Sequence, residues 1–183
     1  MTCKAVFLDR DGVLNVAVIR NGKSFPPADA ASLVLTPGAK EAIERMRRAG
    51  YLCICVTNQP DVARGSRTLE NVAAMNEKVA AALALDDLFM CTHDNDDHCA
   101  CRKPKPGMLL DAAAKWGINL RASIMIGDRA SDMEAGFAAG CQTVFIPNPE
   151  ILGQKIPSFT VVCKTLTDAA EYVAMSGNKE NVL

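Results

Sequence analysis

Asp9 and Asp11 stand one residue apart at the end of the apolar run Ala5-Val6-Phe7-Leu8, with Gly12 directly behind them. Such a run followed by Asp-x-Asp-Gly predicts a buried parallel strand whose carboxyl end opens into a turn, where open α/β sheets bind ligands. Asp9 then faces the crevice, and Gly12 lets the backbone turn so that Asp11 points into the same space. Two carboxylates this close repel unless a cation or a shared proton intervenes, and a hard divalent ion such as Mg²⁺ is the natural third party. With the charge balanced, one carboxylate can act as nucleophile while the other trades a proton. The competing reading is a calcium loop or a solvated turn. It fits less well: the further Asp/Asn positions and the Glu of an EF-hand are missing, and no amphipathic helix leads into the motif.

Three later segments have the same form. Tyr51 to Val56 is an apolar run ending in Thr57-Asn58-Gln59, which puts a hydroxyl and an amide at a second strand terminus. Ser123 to Ile126 runs into Gly127-Asp128-Arg129-Ala130-Ser131-Asp132, a third terminus with two more carboxylates. Between them lies the basic turn Arg102-Lys103-Pro104-Lys105-Pro106-Gly107, ahead of an amphipathic helix. Taken singly each is a common turn or helix cap; the order in which they occur is the stronger signal.

The stretch Cys91-Thr92-His93-Asp94-Asn95-Asp96-Asp97-His98-Cys99-Ala100-Cys101 carries a second kind of chemistry. Three thiols and an imidazole, arranged Cys-x-His and Cys-x-Cys around a five-residue loop, can close the tetrahedral shell of a structural zinc site. A closed shell leaves no position for water, so this metal should do no chemistry. It should pin a polar loop without a core of its own and so deliver Arg102 and Lys103. His98 competes for the fourth position.

The motifs Asp9-x-Asp11, Thr57, Lys103 and Asp128/Asp132, in that order, resemble the haloacid dehalogenase (HAD) phosphohydrolase superfamily over residues 4 to 147. Asp9-Arg10-Asp11-Gly12, Thr57-Asn58-Gln59 and Cys101-Arg102-Lys103-Pro104 are similar to its small capless branch. That branch holds heptose bisphosphate phosphatases and histidinol-phosphate phosphatases. The resemblance implies a Mg²⁺-dependent phosphatase in which Asp9 attacks phosphorus and Asp11 protonates the leaving oxygen and later deprotonates water. It also implies Mg²⁺ on the carboxylates of Asp9 and Asp128 and the carbonyl of Asp11, with Thr57 and the backbone near Asn58 on the transferring group. Lys103 would screen Asp9, and Asp132 would orient Lys103 or metal-bound water or cap its helix. For structural Zn²⁺ the resemblance selects Cys91, His93, Cys99 and Cys101.

Substrate features point two ways. Asn15, Ala63-Arg64-Gly65 and Lys105-Pro106-Gly107-Met108-Leu109 look like the heptose branch. Gly127 to Asp132 and the short zinc loop look like the histidinol branch, as Arg129 stands where the heptose enzymes have lysine and Pro60-Asp61 where they have Ser-Gly. Removal of the 7-phosphate of D-glycero-D-manno-heptose 1,7-bisphosphate is favoured, with Asn58 and Arg102 among the substrate-binding candidates and Arg64 either holding a second phosphate or a hydroxyl or standing as a solvated loop arginine. Histidinol phosphate or another small polyol phosphate is the alternative. The non-enzyme readings, a phospho-accepting receiver or a zinc-stabilised binding module, fit less well. A receiver's acceptor ends its third strand, and no carboxylate is lost here.

The remaining sequence must position these groups. A length of 183 residues suits one domain, expected over 1–175 with a frayed tail at 176–183. Helices expected at about 37–49, 68–85, 106–116, 130–140 and 166–175 alternate with strands near 4–8, 51–56, 87–90, 122–126, 142–146 and 159–163. Alternation of this kind predicts an α/β, doubly wound, mainly parallel sheet without a cap domain, and the open site is bordered by the 16–35, 59–67 and zinc loops. Net charge −1 gives no pull toward nucleic acid or membrane, and the N-terminal apolar stretch is too short for a signal or membrane segment. Of eight cysteines three suit zinc, while Cys3, Cys53, Cys55, Cys141 and Cys163 fall within or beside apolar stretches. A reducing, cytoplasmic setting and a monomer are expected.

Overall fold

Ala5, Val6, Phe7 and Leu8 are all inaccessible to solvent, which a strand achieves only when both of its faces are covered. The computed structural model describes residues 3–151, 154–158 and 160–178. In it the run is β1 (Lys4–Leu8), at the centre of a six-stranded sheet. The sheet is completed by β4 (Tyr51–Asn58), β5 (Asp87–Cys91), β6 (Ile124–Gly127), β7 (Gln142–Phe145) and β8 (Val161–Val162), and a hairpin of β2 (Val18–Arg20) and β3 (Lys23–Phe25) lies outside it. The sheet order is β5-β4-β1-β6-β7-β8 with every pair parallel.

The helices are α1 (Ala39–Arg48), α2 (Leu69–Leu83), α3 (Gly107–Trp116), α4 (Ala130–Ala139) and α5 (Leu166–Asn178). Strand alternation divides the core between them. Val6, Leu8, Cys53 and Cys55 pack with Ile43, Met46, Val72, Met75 and Val173 of α1, α2 and α5. Ala5, Phe7, Ile54 and Val56 pack with Met108, Leu109, Ala112 and Ala135 of α3 and α4. The result is the three-layer, doubly wound arrangement expected.

From β1 the chain winds outward through β4 to β5, then returns to the other side of β1 for β6, β7 and β8. The reversal makes the carboxyl ends of β1, β4 and β6 the switch point where such sheets bind ligands. Register aligns these ends, since Leu8 pairs with both Cys55 and Ile126, and Asp9 N donates to Ile126 O at 3.0 Å.

Some boundaries differ from expectation. α1 starts at Ala39 behind Gly38, whose positive φ of 75° makes it the cap, so Pro37 precedes the helix instead of opening it. α5 continues to Asn178, three residues into the expected tail, and residues 179–183 lie outside those described. The strand expected at 159–163 is reduced to two residues, with residue 159 outside the described set. The β2–β3 hairpin is an addition. Asn21 and Gly22 both have positive φ, 51° and 68°, the two-residue turn that matches strand twist. No separate cap covers the switch point among the described residues. Among the described residues no helix is long and apolar enough to cross a membrane.

Candidate active site

The end of β1, the end of β4, the turn before α3 and the β6–α4 turn converge on one polar cavity of about 260 Å³. Asp9, Asp11, Asn58, Arg102, Lys103, Arg129 and Asp132 line it. At its floor Lys103 Nζ lies 2.9 Å from Asp9 Oδ1, 2.6 Å from Asp132 Oδ1 and 2.7 Å from Val56 O. Burial opposes the lysine's charge, but Asp132 and Asp9 outweigh it and hold Lys103 above the ordinary lysine value. Burial lifts Asp9 to about 6 despite the opposing pull of Lys103.

Asp128 is wholly buried and neither of its carboxylate oxygens has a hydrogen-bond partner; Arg129 Nε comes no closer than 4.0 Å. Burial first, and the charge of Asp9 second, raise it to about 8. One carboxylate oxygen from each of Asp9, Asp128 and Asp132 falls within 4.8 Å of the others. An orphaned buried carboxylate facing a second one is what a hard cation resolves, so these residues fit a divalent ion such as Mg²⁺. The turn is built for close approach. Gly12 has φ 96°, and a Cβ there would run into the Asp128 carboxylate. Gln154 clips the same turn from outside, donating to Asp128 O at 2.9 Å and accepting from Ala130 N at 3.1 Å.

Asp132 is in the first turn of α4, where its second oxygen accepts from Arg129 N at 3.0 Å. It therefore both caps the helix and holds Lys103. Asn58 is engaged with the Lys103 main chain, donating to its carbonyl at 2.9 Å and accepting from its amide at 3.1 Å. Thr57 Oγ1 accepts from Gln59 Nε2 at 3.0 Å, and the same amide donates to Asp11 Oδ2 at 2.8 Å.

The zinc-loop candidates also converge. Ligand atoms of Cys91, His93, Cys99 and Cys101 lie within 4.8 Å of one another, with Sγ–Sγ distances of 3.1, 3.4 and 3.7 Å and Sγ–Nδ1 distances of 3.3 and 3.6 Å. A tetrahedron with Zn–S legs of about 2.3 Å has edges near 3.8 Å, so the cluster fits zinc after slight expansion. His98 stands outside the four.

Arg64 is placed differently from the substrate contact expected of it. Its guanidinium is forked onto Asp94 at 2.6 and 2.7 Å, holding that carboxyl at about 2, and it does not line the cavity. Arg102 does reach the cavity, steadied by Asn95 Oδ1 at 2.8 Å and His93 O at 3.2 Å. Sequence reasoning missed the residues around Asp11: Arg10, Asn15 and Gln59 all donate to its carboxylate, and Asn76 of α2 holds Arg10. For Arg10 strand alternation offered no signal, since β1 ends at Leu8 and residue 10 lies in the turn. For Asn76 the signal was an amide on an apolar stripe.

This arrangement agrees with known proteins. The family model described as haloacid dehalogenase-like hydrolase matches residues 25–140. The chain belongs to that family. The hydrolase is 35% identical over 179 residues to the D-glycero-β-D-manno-heptose-1,7-bisphosphate 7-phosphatase of Bordetella bronchiseptica, covering 92% of this chain and 96% of the relative. It is 32% identical to the enzyme of the same name from Helicobacter pylori strain J99, over 94% of this chain and 98% of the relative. The crystal structure of D,D-heptose 1,7-bisphosphate phosphatase from B. bronchiseptica, complexed with magnesium and phosphate, superposes on the hydrolase with a TM-score of 0.81 at 34% identity. It covers 94% of this chain and 98% of that one.

Proposed function

We propose that this hydrolase is a phosphomonoester phosphatase that removes the 7-phosphate of D-glycero-β-D-manno-heptose 1,7-bisphosphate by way of a phosphorylated Asp9. The carrying observation is the pairing at the cavity floor, where Asp9 is fixed by Lys103 at 2.9 Å beside a buried Asp128 that has no hydrogen-bond partner. The relatives named above support the substrate.

Asp9 attacks phosphorus in line, forming its O–P bond as the bond to the sugar oxygen breaks. Asp11 gives a proton to the departing oxygen, then takes one from the water that cleaves the acyl phosphate, returning Asp9 free and releasing phosphate. Lys103 reduces repulsion between Asp9 and the incoming dianion, and Asp132 keeps the ammonium in place. Thr57 and the backbone beside Asn58 orient the transferring group, while the Asn58 side chain locks the Lys103 main chain. Mg²⁺, held by the Asp9 and Asp128 carboxylates and the Asp11 carbonyl, supplies positive charge opposite the phosphoryl oxygens when bound. The magnesium in the related crystal structure supports this ion.

Arg102 and Arg129, which both line the cavity, take the second phosphate of a bisphosphate in this reading. Arg64 serves through Asp94, tying the 59–67 loop to the zinc loop from which Arg102 projects. Zn²⁺ on Cys91, His93, Cys99 and Cys101 closes that loop and takes no part in the chemistry.

The test is phosphate release with Mg²⁺ from both anomers of the heptose bisphosphate and from histidinol phosphate, compared as kcat/KM, with Asp9→Asn as the inactive reference. Preference for the β-bisphosphate is expected. Preference for histidinol phosphate overturns the substrate assignment, and normal turnover by Asp9→Asn overturns the nucleophile.

A further inference from the structure

Arg10 sits between the two motif carboxylates in sequence yet has no exposed surface, and it is the largest fully buried side chain of the described residues. A guanidinium so placed must employ its donors, because an unpaired buried charge is strongly unfavourable. Nε and one terminal nitrogen fork onto Asp11, 3.4 Å from Oδ1 and 2.8 Å from Oδ2. The other terminal nitrogen donates to Asn76 Oδ1 at 2.6 Å, across 66 residues of sequence.

Asn76 is itself out of place by composition. It occupies the buried stripe of α2 with Val72, Met75, Val79 and Leu83, where an amide lowers helix propensity and must be desolvated. Among the described residues its Nδ2 finds only the Met90 sulfur, at 3.3 Å. The acceptor offered to Arg10 is therefore what the position provides. Asn15 Nδ2 at 3.1 Å and Gln59 Nε2 at 2.8 Å complete the cradle around the same carboxylate.

We propose that Arg10 and Asn76 are positioning residues for proton transfer: α2, through Asn76 and the planar fork of Arg10, sets the plane and rotamer of the Asp11 carboxyl. A planar fork fixes both oxygens of a carboxylate, which a single ammonium donor does not. The proposal rests on the reading of Asp11 as the group that protonates the leaving oxygen.

The test exploits leaving groups that need that proton to different degrees. An alkyl phosphate cannot release its alkoxide unprotonated, phenyl phosphate is intermediate, and dinitrophenyl phosphate departs without help. kcat/KM reports the step in which the leaving group goes, so its dependence on the leaving group measures acid assistance. Arg10→Met should lower kcat/KM on the alkyl phosphate by about 10²-fold and on dinitrophenyl phosphate by less than about tenfold, steepening the series. Asn76→Leu, which leaves Asp11's direct neighbours intact, should steepen it in the same sense to a smaller extent. Folded variants that lose activity equally on all three substrates overturn the proposal, because a merely structural contact would act that way. If only Asn76→Leu folds, it decides. If circular dichroism finds both unfolded, the contacts serve stability and the proposal falls. Asp11→Asn separates the two layers: without a steepened series there, the acid assignment fails and takes the proposal with it. Steepening in Asp11→Asn alone overturns only the roles of Arg10 and Asn76.

Discussion

The residue that decides whether this site can work is Lys103. It is 4% exposed and satisfies two buried carboxylates and a carbonyl at once, so no water or surface charge can substitute for it. Lys103→Met would leave Asp9 and Asp132 facing each other without their common cation. Breaking a buried pair in this way costs on the order of 3–5 kcal/mol, and loss of the electrostatic screen should cut kcat/KM by at least about 10²-fold. A thermal melt and initial rates check both; a variant of unchanged melting temperature would show that the pair is not stabilising. Asp9, Asp11 and Asp128 were legible in the sequence because each ends an apolar run, and Lys103 because it follows the zinc loop directly. Arg10, Gln59 and Asn76 were not assigned, since they act on another side chain and their types alone do not say which. For Arg64 the sequence left two readings open for a related reason: a loop arginine looks the same whether it meets a substrate or a carboxylate, and its guanidinium here pairs with Asp94.

At the scale of elements, the segment from Cys91 to Lys103 depends on something other than a core. Asp94, Asn95, Asp96, Asp97 and His98 give it nothing apolar to bury, and beyond Cys91, the last residue of β5, a 3₁₀ turn at Asn95–Asp97 is its only regular structure. In the proposed reading, metal ligation supplies the order that Arg102 and Lys103 require. Purified protein should hold about one zinc per chain, and Cys101→Ser should lose most of it. Its loop should become a site of limited proteolysis and its activity should fall, although no zinc ligand touches the proposed phosphate position. Metal analysis and peptide mapping read the two effects, and a zinc-free, protease-resistant, active variant would contradict them. The five helices and the sheet were legible because their apolar periodicity is strong. The β2–β3 hairpin was missed although Asn21-Gly22 announces it, because its strands are only three residues long and half-exposed.

For the molecule as a whole, the switch point concentrates charge that the fold by itself does not compensate. Asp9 at about 6 and Asp128 at about 8 both lie above the 3.8 of an ordinary aspartate. In metal-free protein the folded state therefore keeps protons that the unfolded chain has already released. For groups raised in this sense, stability is fully present below the unfolded value of 3.8 and is lost as pH rises through about 6 and then about 8. Mg²⁺ favours the ionised carboxylates, so it should stabilise little below about 6 and progressively more toward and beyond about 8. Thermal melts with and without excess Mg²⁺ across that range test this, and a metal-induced shift independent of pH would contradict it. Asp128→Asn should flatten the metal-free profile over the upper part of the range, since it removes the group with the larger displacement. The same variant should lose most of the Mg²⁺-induced shift, because its neutral amide presents no charge for the cation to balance. Agreement of the two effects in one variant would tie the instability of the bare switch point to the site that binds the metal.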